Sequence, residues 1–188
     1  MNNVRPISIS NFISQLFERI FLIRLESIKT SNNQFGFKPK SSCNLTIFSL
    51  KETIINYVEN GSPCYMAALD AEKAFDKLWR DGLFFKLINK IDKLSWITLR
   101  RYYCISEGII VFQENIFSKR FFITCGVKHG GVISPFLFNL FIDDLISECL
   151  SLNIGAKIGF TNMSVSAFAD DNFLLSPSVS HLQKQVQL

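Results

Sequence analysis

Val165-Ser166-Ala167-Phe168-Ala169-Asp170-Asp171-Asn172-Phe173-Leu174-Leu175 is an apolar, strand-like run broken only by Ser166, two adjacent aspartates and Asn172. Burying an ionised carboxylate without a partner is costly, and two side by side also repel each other. A divalent cation answers both problems, because hard cations take carboxylate oxygens as ligands. A third carboxylate at the end of another apolar strand would complete such a site, and Tyr65-Met66-Ala67-Ala68-Leu69-Asp70 supplies it. The competing reading is that Asp70 merely caps a turn and that the pair sits in a solvated loop, since aspartate is a common turn residue.

The rest of the composition suits a folded domain. The chain has 188 residues, 48% of them apolar, and its 19 phenylalanines are more than a small binding module would need outside a core. A net charge of +4 is compatible with an anionic partner but does not require one. Five cysteines without a CxxC pair, and only His129 and His181 as imidazoles, argue against a zinc site or a disulfide framework. Reduced, buried thiols in a soluble intracellular protein, nuclear or cytoplasmic and without a membrane partner, are the expectation. Met1 to Ser10 does not resemble a signal peptide, and no charge-free apolar run reaches membrane-spanning length.

Read in order, Ser10 or Asn11 caps a helix with Phe12, Ile13, Leu16, Phe17, Ile20 and Phe21 at three- and four-residue spacing. A basic loop, Gln34 to Ser42, precedes a second amphipathic helix that Asn60-Gly61 stops. The strand ending in Asp70 gives way to a turn, Ala71 to Asp76, then to helices around Leu83–Ile88 and Ser95–Tyr103. Ile109–Phe112 and Phe121–Thr124 read as a hairpin around Gln113-Glu114-Asn115. Gly126 to Gly131 is a loop, after which Ser134 and Pro135 start a long helix. Strands on either side of Asp170-Asp171, then a helix capped by Ser178 or Ser180, complete the chain. Asp143-Asp144 on the long helix reads as a solvated edge, and Arg100, Arg101, Lys119 and Arg120 as a hydrated surface that could also track phosphates. An aspartate-tipped strand, a glycine loop with its helix, and an aspartate-tipped hairpin together suit two-metal catalysis of phosphoryl transfer.

Four stretches make the pattern specific. Phe168-Ala169-Asp170-Asp171 resembles the catalytic hairpin of reverse transcriptases, and Ala68-Leu69-Asp70-Ala71-Glu72-Lys73-Ala74-Phe75-Asp76 resembles their first metal-binding motif. Gly126-Val127-Lys128-His129-Gly130-Gly131-Val132-Ile133-Ser134-Pro135-Phe136-Leu137-Phe138-Asn139 resembles the middle motif, and Gln34-Phe35-Gly36-Phe37-Lys38 the fingers motif that precedes them. All four occur in the family's order, and the similarity is to the reverse transcriptase domain of non-LTR (LINE-type) retrotransposons.

The resemblance implies an α+β right-hand polymerase fold over 1–188, with fingers before Gly61 interleaved with a palm whose antiparallel sheet is backed by helices. It also implies a domain incomplete at its C-terminus, without a thumb. The implied activity is addition of deoxynucleotides to a DNA primer 3′-hydroxyl on an RNA template, with two Mg²⁺ ions for which Mn²⁺ can substitute. Its other partner would be the rest of the retrotransposon polyprotein. By the same resemblance Asp70 and Asp170 bind both metals, helped by Asp171 and the Ala71 carbonyl. Phe75 is the ring that excludes a ribose 2′-hydroxyl, and Lys38, with Lys40 behind it, approaches the triphosphate. Gly130 and Gly131 let backbone come close to the nucleotide, and His129 stands where the family usually has glutamine. Asn172 likewise replaces a more usual apolar residue. The alternative is a catalytically silent remnant that at most binds nucleic acid. An RNA polymerase or cyclase fits less well, given Phe75 and Ala169.

Overall fold

The computed structural model describes residues 9–112, 116–128 and 130–188. Helices α1 (Phe12–Leu25) and α2 (Cys43–Glu59) precede strand β1 (Tyr65–Asp70). Then come a one-turn helix α3 (Ala74–Lys77), α4 (Arg80–Leu87), α5 (Lys93–Cys104) and the short strands β2 (Glu107–Gly108), β3 (Val111–Phe112), β4 (Ile116–Phe117) and β5 (Phe121–Phe122). Helix α6 (Ser134–Ser151) leads into β6 (Lys157–Ile158), β7 (Thr161–Asn162), β8 (Val165–Phe168), β9 (Asp171–Ser176) and α7 (Val179–Val186). All the named strand pairs are antiparallel, so the expected α+β class holds. The chain up to Ile28 with Lys73–Ser134 forms one compact unit, and Lys29–Glu72 with Pro135–Leu188 forms another.

In the second unit β9 lies between β1 and β8. Because side chains alternate across a strand, the register splits this sheet into two faces. Ala67, Val165, Ala167 and Leu174 share one face, and they pack with Ile146 and Cys149 of α6 and Leu182 of α7. Leu175 and Phe173 share the other, where they meet Leu50, Ile54 and Tyr57 of α2. Burying a Leu or Val side chain contributes about 1.5–3 kcal/mol, so these clusters fix which side each strand turns to the helices. A one-residue slip would invert every side chain. The outer edge of β8 is also paired: Phe35 N donates to Ala167 O and Ala167 N to Asn33 O, both at 2.8 Å. The segment around Gln34 thus runs beside β8 as a parallel bridge.

In the first unit, Asn11 caps α1 by accepting a hydrogen bond from Ser14 N at 2.7 Å. Only Glu18, Phe21 and Leu25 of this helix are buried, whereas Phe12, Ile13, Leu16 and Ile20 are exposed. The apolar stripe that the spacing marks, Phe12, Ile13, Leu16 and Ile20, is therefore the exposed one, and the buried stripe lies beside it. Phe84, Trp96 and Tyr103 form an edge-to-face cluster across α4 and α5, with ring centroids 6.0–6.2 Å apart. Buried Arg80 secures the turns around them, donating through Nε to Gly126 O at 2.7 Å and through Nη1 to Tyr103 O at 2.9 Å and to Ile123 O.

The expected hairpin forms as two short ladders, β2 with β5 and β3 with β4, and Ile110 N donates to Ser118 Oγ between them. Its Gln113-Glu114-Asn115 tip lies outside the described residues. The expectation of buried thiols is corrected: Cys149 is buried, but Cys43, Cys104 and Cys125 are exposed and Cys64 is half-buried, all unpaired with one another. Cys43 opens α2 and Cys104 closes α5, while Cys125 lies in the bend after β5. Among the described residues no helix is long and apolar enough to cross a membrane.

Candidate active site

Asp70 ends β1, Asp171 opens β9, and the two are direct cross-strand partners. Their Cα atoms are therefore separated by roughly 4.5–5.5 Å, and their side chains leave the same face of the sheet. Asp170 occupies the two-residue turn between β8 and β9, so all three aspartates gather at one end of the sheet. Asp70 and Asp171 are exposed and Asp170 is half-buried. Three carboxylates form a hard-oxygen donor set of the kind Mg²⁺ or Mn²⁺ takes, and cross-strand pairing brings two of them together without help from any loop. Among the described residues no group of three potential ligand side chains is already drawn together as a metal cluster. The position of the aspartates at one sheet end and their hard-oxygen chemistry fit a divalent cation.

The turn itself is strained. Ala169 has φ +57°, a left-handed conformation that costs a residue with a Cβ roughly 1–2 kcal/mol. Gln34, fully buried, meets this residue on both sides: Oε1 accepts from Ala169 N at 3.0 Å and Nε2 donates to Ala169 O at 3.2 Å. The same Oε1 accepts from Gly36 N at 2.8 Å, and Asn139 Nδ2 of α6 donates to Gly36 O at 2.7 Å. Asn172, unusual in sequence, donates to Asp170 O at 3.0 Å from within the hairpin.

Lys38 is half-buried and its ammonium donates to Thr30 O at 3.1 Å and to Ser31 O. Burial pushes its pKa down, while the nearby Asp143 carboxylate works in the opposite direction. Asp143 corrects an expectation: it is no solvated helix edge but accepts from Ser31 N at 2.5 Å, anchoring the loop that Lys38 closes. Its i, i+1 neighbour Asp144 points elsewhere and is exposed, as helix geometry requires.

In the first unit Phe75 is half-buried on α3, and its carbonyl accepts from Val127 N at 2.9 Å. Gly126, at φ +75°, lies so near that a Cβ there would meet Asp76 O at 2.4 Å. The segments around Phe75 and Gly126-Val127 are thus joined backbone to backbone, although far apart in sequence. Gly130 is exposed at φ +73°, and His129 lies outside the described residues. Arg100 stacks on Trp96 with its guanidinium carbon 5.1 Å from the ring centroid and pairs with Asp81 at 3.7 Å, and Arg120 approaches Glu107 at 3.9 Å.

Sequence reasoning missed Glu18. This buried carboxylate on α1 accepts from Tyr102 Oη and Val132 N, each at 2.5 Å, and from Ile133 N at 3.4 Å. It thereby holds the peptide just after Gly130-Gly131. Lys128 Nζ sits 3.6 Å from the centre of the Tyr102 ring, placing a cation beside the buried anion. The only sequence signal was a lone acid inside an apolar helix.

The chain is 31% identical over 195 aligned positions to the Pol polyprotein of the type-2 retrotransposable element R2DM of Drosophila melanogaster, covering 95% of this chain and 17% of that protein. It is 30% identical over 177 positions to the type-1 retrotransposable element R2 polyprotein of Popillia japonica, covering 93% of this chain and 25% of that one. It thus spans between about a sixth and a quarter of the length of these curated relatives. Among solved structures it is similar in fold to apo telomerase from Candida tropicalis, with a TM-score of 0.64 at 11% identity over 93% of this chain and 33% of that one. A telomerase from Candida albicans with a telomeric RNA fragment gives 0.61 at 12% identity, over 93% of this chain and 31% of that one. The profile described as reverse transcriptase (RNA-dependent DNA polymerase) matches residues 1–188, and the chain belongs to that family.

Proposed function

We propose that this chain carries the polymerising centre of an RNA-directed DNA polymerase, adding deoxynucleotides to a primer 3′-hydroxyl on an RNA template. The observation that carries the reading is the pairing of Asp70 with Asp171 beside Asp170. Three carboxylates would otherwise repel one another at one sheet end with nothing gained. In the reaction the primer 3′-hydroxyl gives up its proton to solvent, its oxygen forms a bond to the α-phosphorus of the deoxynucleotide, the bond to the bridging oxygen breaks, and pyrophosphate leaves.

Asp70 and Asp170 would hold two divalent cations, with Asp171 and the Ala71 carbonyl assisting. Such cations, when bound, lower the pKa of the attacking hydroxyl and neutralise charge on the triphosphate. The protein's own contribution is orientation and exclusion. Phe75 would lie under the sugar, where a 2′-hydroxyl would overpack the ring at a cost of ~1–3 kcal/mol. Lys38 would leave the carbonyls of Thr30 and Ser31 to meet the triphosphate as a mobile point charge. His129 and Gly130 would contact the nucleotide and template. The strands β1, β8 and β9 with α6 would be palm, and the segments before Gly61 fingers.

Primer extension on a poly(rA) template with an oligo(dT) primer tests this, with Asp170→Ala as the control. Incorporation of dTTP that the control lacks supports the reading. Incorporation no greater than that of the control, with template still bound, would instead establish a silent nucleic-acid-binding remnant.

A further inference from the structure

We infer that Gln34 is the positioning residue of the aspartate turn: its buried amide fixes Ala169 in the left-handed conformation and so sets where Asp170 and Asp171 present their carboxylates. The consequence for metal binding rests on the reading of these aspartates as a metal-holding pair. The hold on the turn does not.

Three features single this amide out. Its oxygen faces two N–H groups, of Ala169 and Gly36, and its nitrogen faces the Ala169 carbonyl, so only one orientation of the amide satisfies all three. It grips both polar groups of the one residue that has positive φ and immediately precedes Asp170. The grip has a firm base: Phe35 N and Asn33 O pair with Ala167 on the edge of β8, and Asn139 holds the Gly36 carbonyl. A buried amide serving only the core would not need to meet the N–H and C=O of the same strained residue. Asparagine is one methylene too short to span the gap, and glutamate would set a carboxylate against the Ala169 carbonyl. Methionine has the length without the hydrogen bonds.

The test uses the 188-residue chain as wild type, Gln34→Met, Ala169→Gly, the double variant and Asp170→Ala. Amide hydrogen exchange reads the turn, and titration with Mn²⁺ alone, followed by electron paramagnetic resonance, reads the carboxylates. Gln34→Met is expected to speed exchange at Ala169 and Gly36 by about tenfold, leaving the amides of β9 unchanged. It should also weaken Mn²⁺ binding by about ten- to a hundredfold. Ala169→Gly in that background should recover most of the Mn²⁺ affinity, because glycine takes positive φ without a steric penalty. Should Gln34→Met not fold, the double variant is expected to fold, and its failure to do so would overturn the inference. Unchanged exchange at Ala169, or an equal loss of Mn²⁺ affinity with and without glycine at 169, would also overturn it. Mn²⁺ binding that survives Asp170→Ala would sink the metal reading instead, while the exchange pattern still decides what holds the turn.

Discussion

A Cβ built on Gly36 would lie 2.2 Å from the backbone nitrogen of Ala169, the residue that leads into Asp170. No real contact is that short; the Cβ is fixed rigidly to its backbone and the atom it meets is itself backbone, so neither a rotamer change nor a flexible side chain can relieve it. Gly36→Ala should therefore push the aspartate hairpin off its seat and destabilise the chain by about 1–3 kcal/mol. Urea denaturation measures this, and a loss below about half a kcal/mol would mean that the hairpin yields freely.

Asp70 and Asp171 face each other as like charges, an arrangement that opposes folding when no cation is present. Asp171→Asn is therefore expected to raise stability in chelator-treated buffer, by a few tenths of a kcal/mol given the exposure of both residues. Added Mg²⁺ should stabilise the wild type more than the variant, which loses an assisting ligand. Thermal melts with and without Mg²⁺ check both halves, and equal responses of the two proteins would count against a cation at this pair.

Phe75 is half-buried on α3, with its carbonyl tied to Val127 N at 2.9 Å. Because the backbone is anchored independently of the ring, Phe75→Ala should fold and lose mainly the space-filling function of the ring. Discrimination between dTTP and UTP in primer extension is expected to fall by roughly tenfold or more, equivalent to the ~1–3 kcal/mol of relieved overpacking. Unchanged sugar selectivity would remove the gate from this residue.

The sheet and its aspartates were legible in sequence because strands write their ends locally. An apolar run that stops at a carboxylate, as at Asp70 and at Phe168-Ala169-Asp170-Asp171, states both the element and where its carboxylate falls. Gln34 was not legible, because its partner lies 135 residues away and is a backbone group, which no residue type advertises. Glu18 was hidden for the same reason, its partners lying 84 and 114 residues further along. Asp143 misled because helical periodicity places a residue on a face but says nothing of what a loop will bring to it. Lys38 shows a different limit, since a loop lysine can be assigned a ligand by motif while its ammonium is engaged by carbonyls eight and seven residues before it.

Glu18 supplies acceptors for three donors inside the first unit. Glu18→Leu would leave the Tyr102 hydroxyl and the N–H groups of Val132 and Ile133 unpaired in a buried place, at about 1–3 kcal/mol for each group left unsatisfied. Glu18→Gln keeps one oxygen for the peptide groups and lets the Tyr102 hydroxyl turn to accept, so it should cost about 1 kcal/mol. Chemical denaturation of the two variants is expected to separate them clearly. Equal losses would mean that packing of the side-chain stem, and not its carboxylate, matters at this position.

Burial pushes the Tyr103 phenol from 10.0 up to about 12, only partly offset by its bond from Ser134 and the nearby Arg80 guanidinium. The sign of the consequence follows from proton counting. Between these values the unfolded chain gives up the proton and the folded chain keeps it, so stability present in full below about pH 10 drains away as pH rises toward about 12. Tyr102 moves in the same direction, through burial first and then its bond to Glu18. The chain should therefore unfold cooperatively in this alkaline window. Tyr103→Phe removes one of the two titrations but keeps the ring that packs edge-on against Phe84 at 6.0 Å, so its stability should fall less steeply with pH. Far-ultraviolet circular dichroism during urea titration at stepped pH measures both slopes. Identical slopes for the two proteins would show that the Tyr103 hydroxyl is free to ionise in the folded chain.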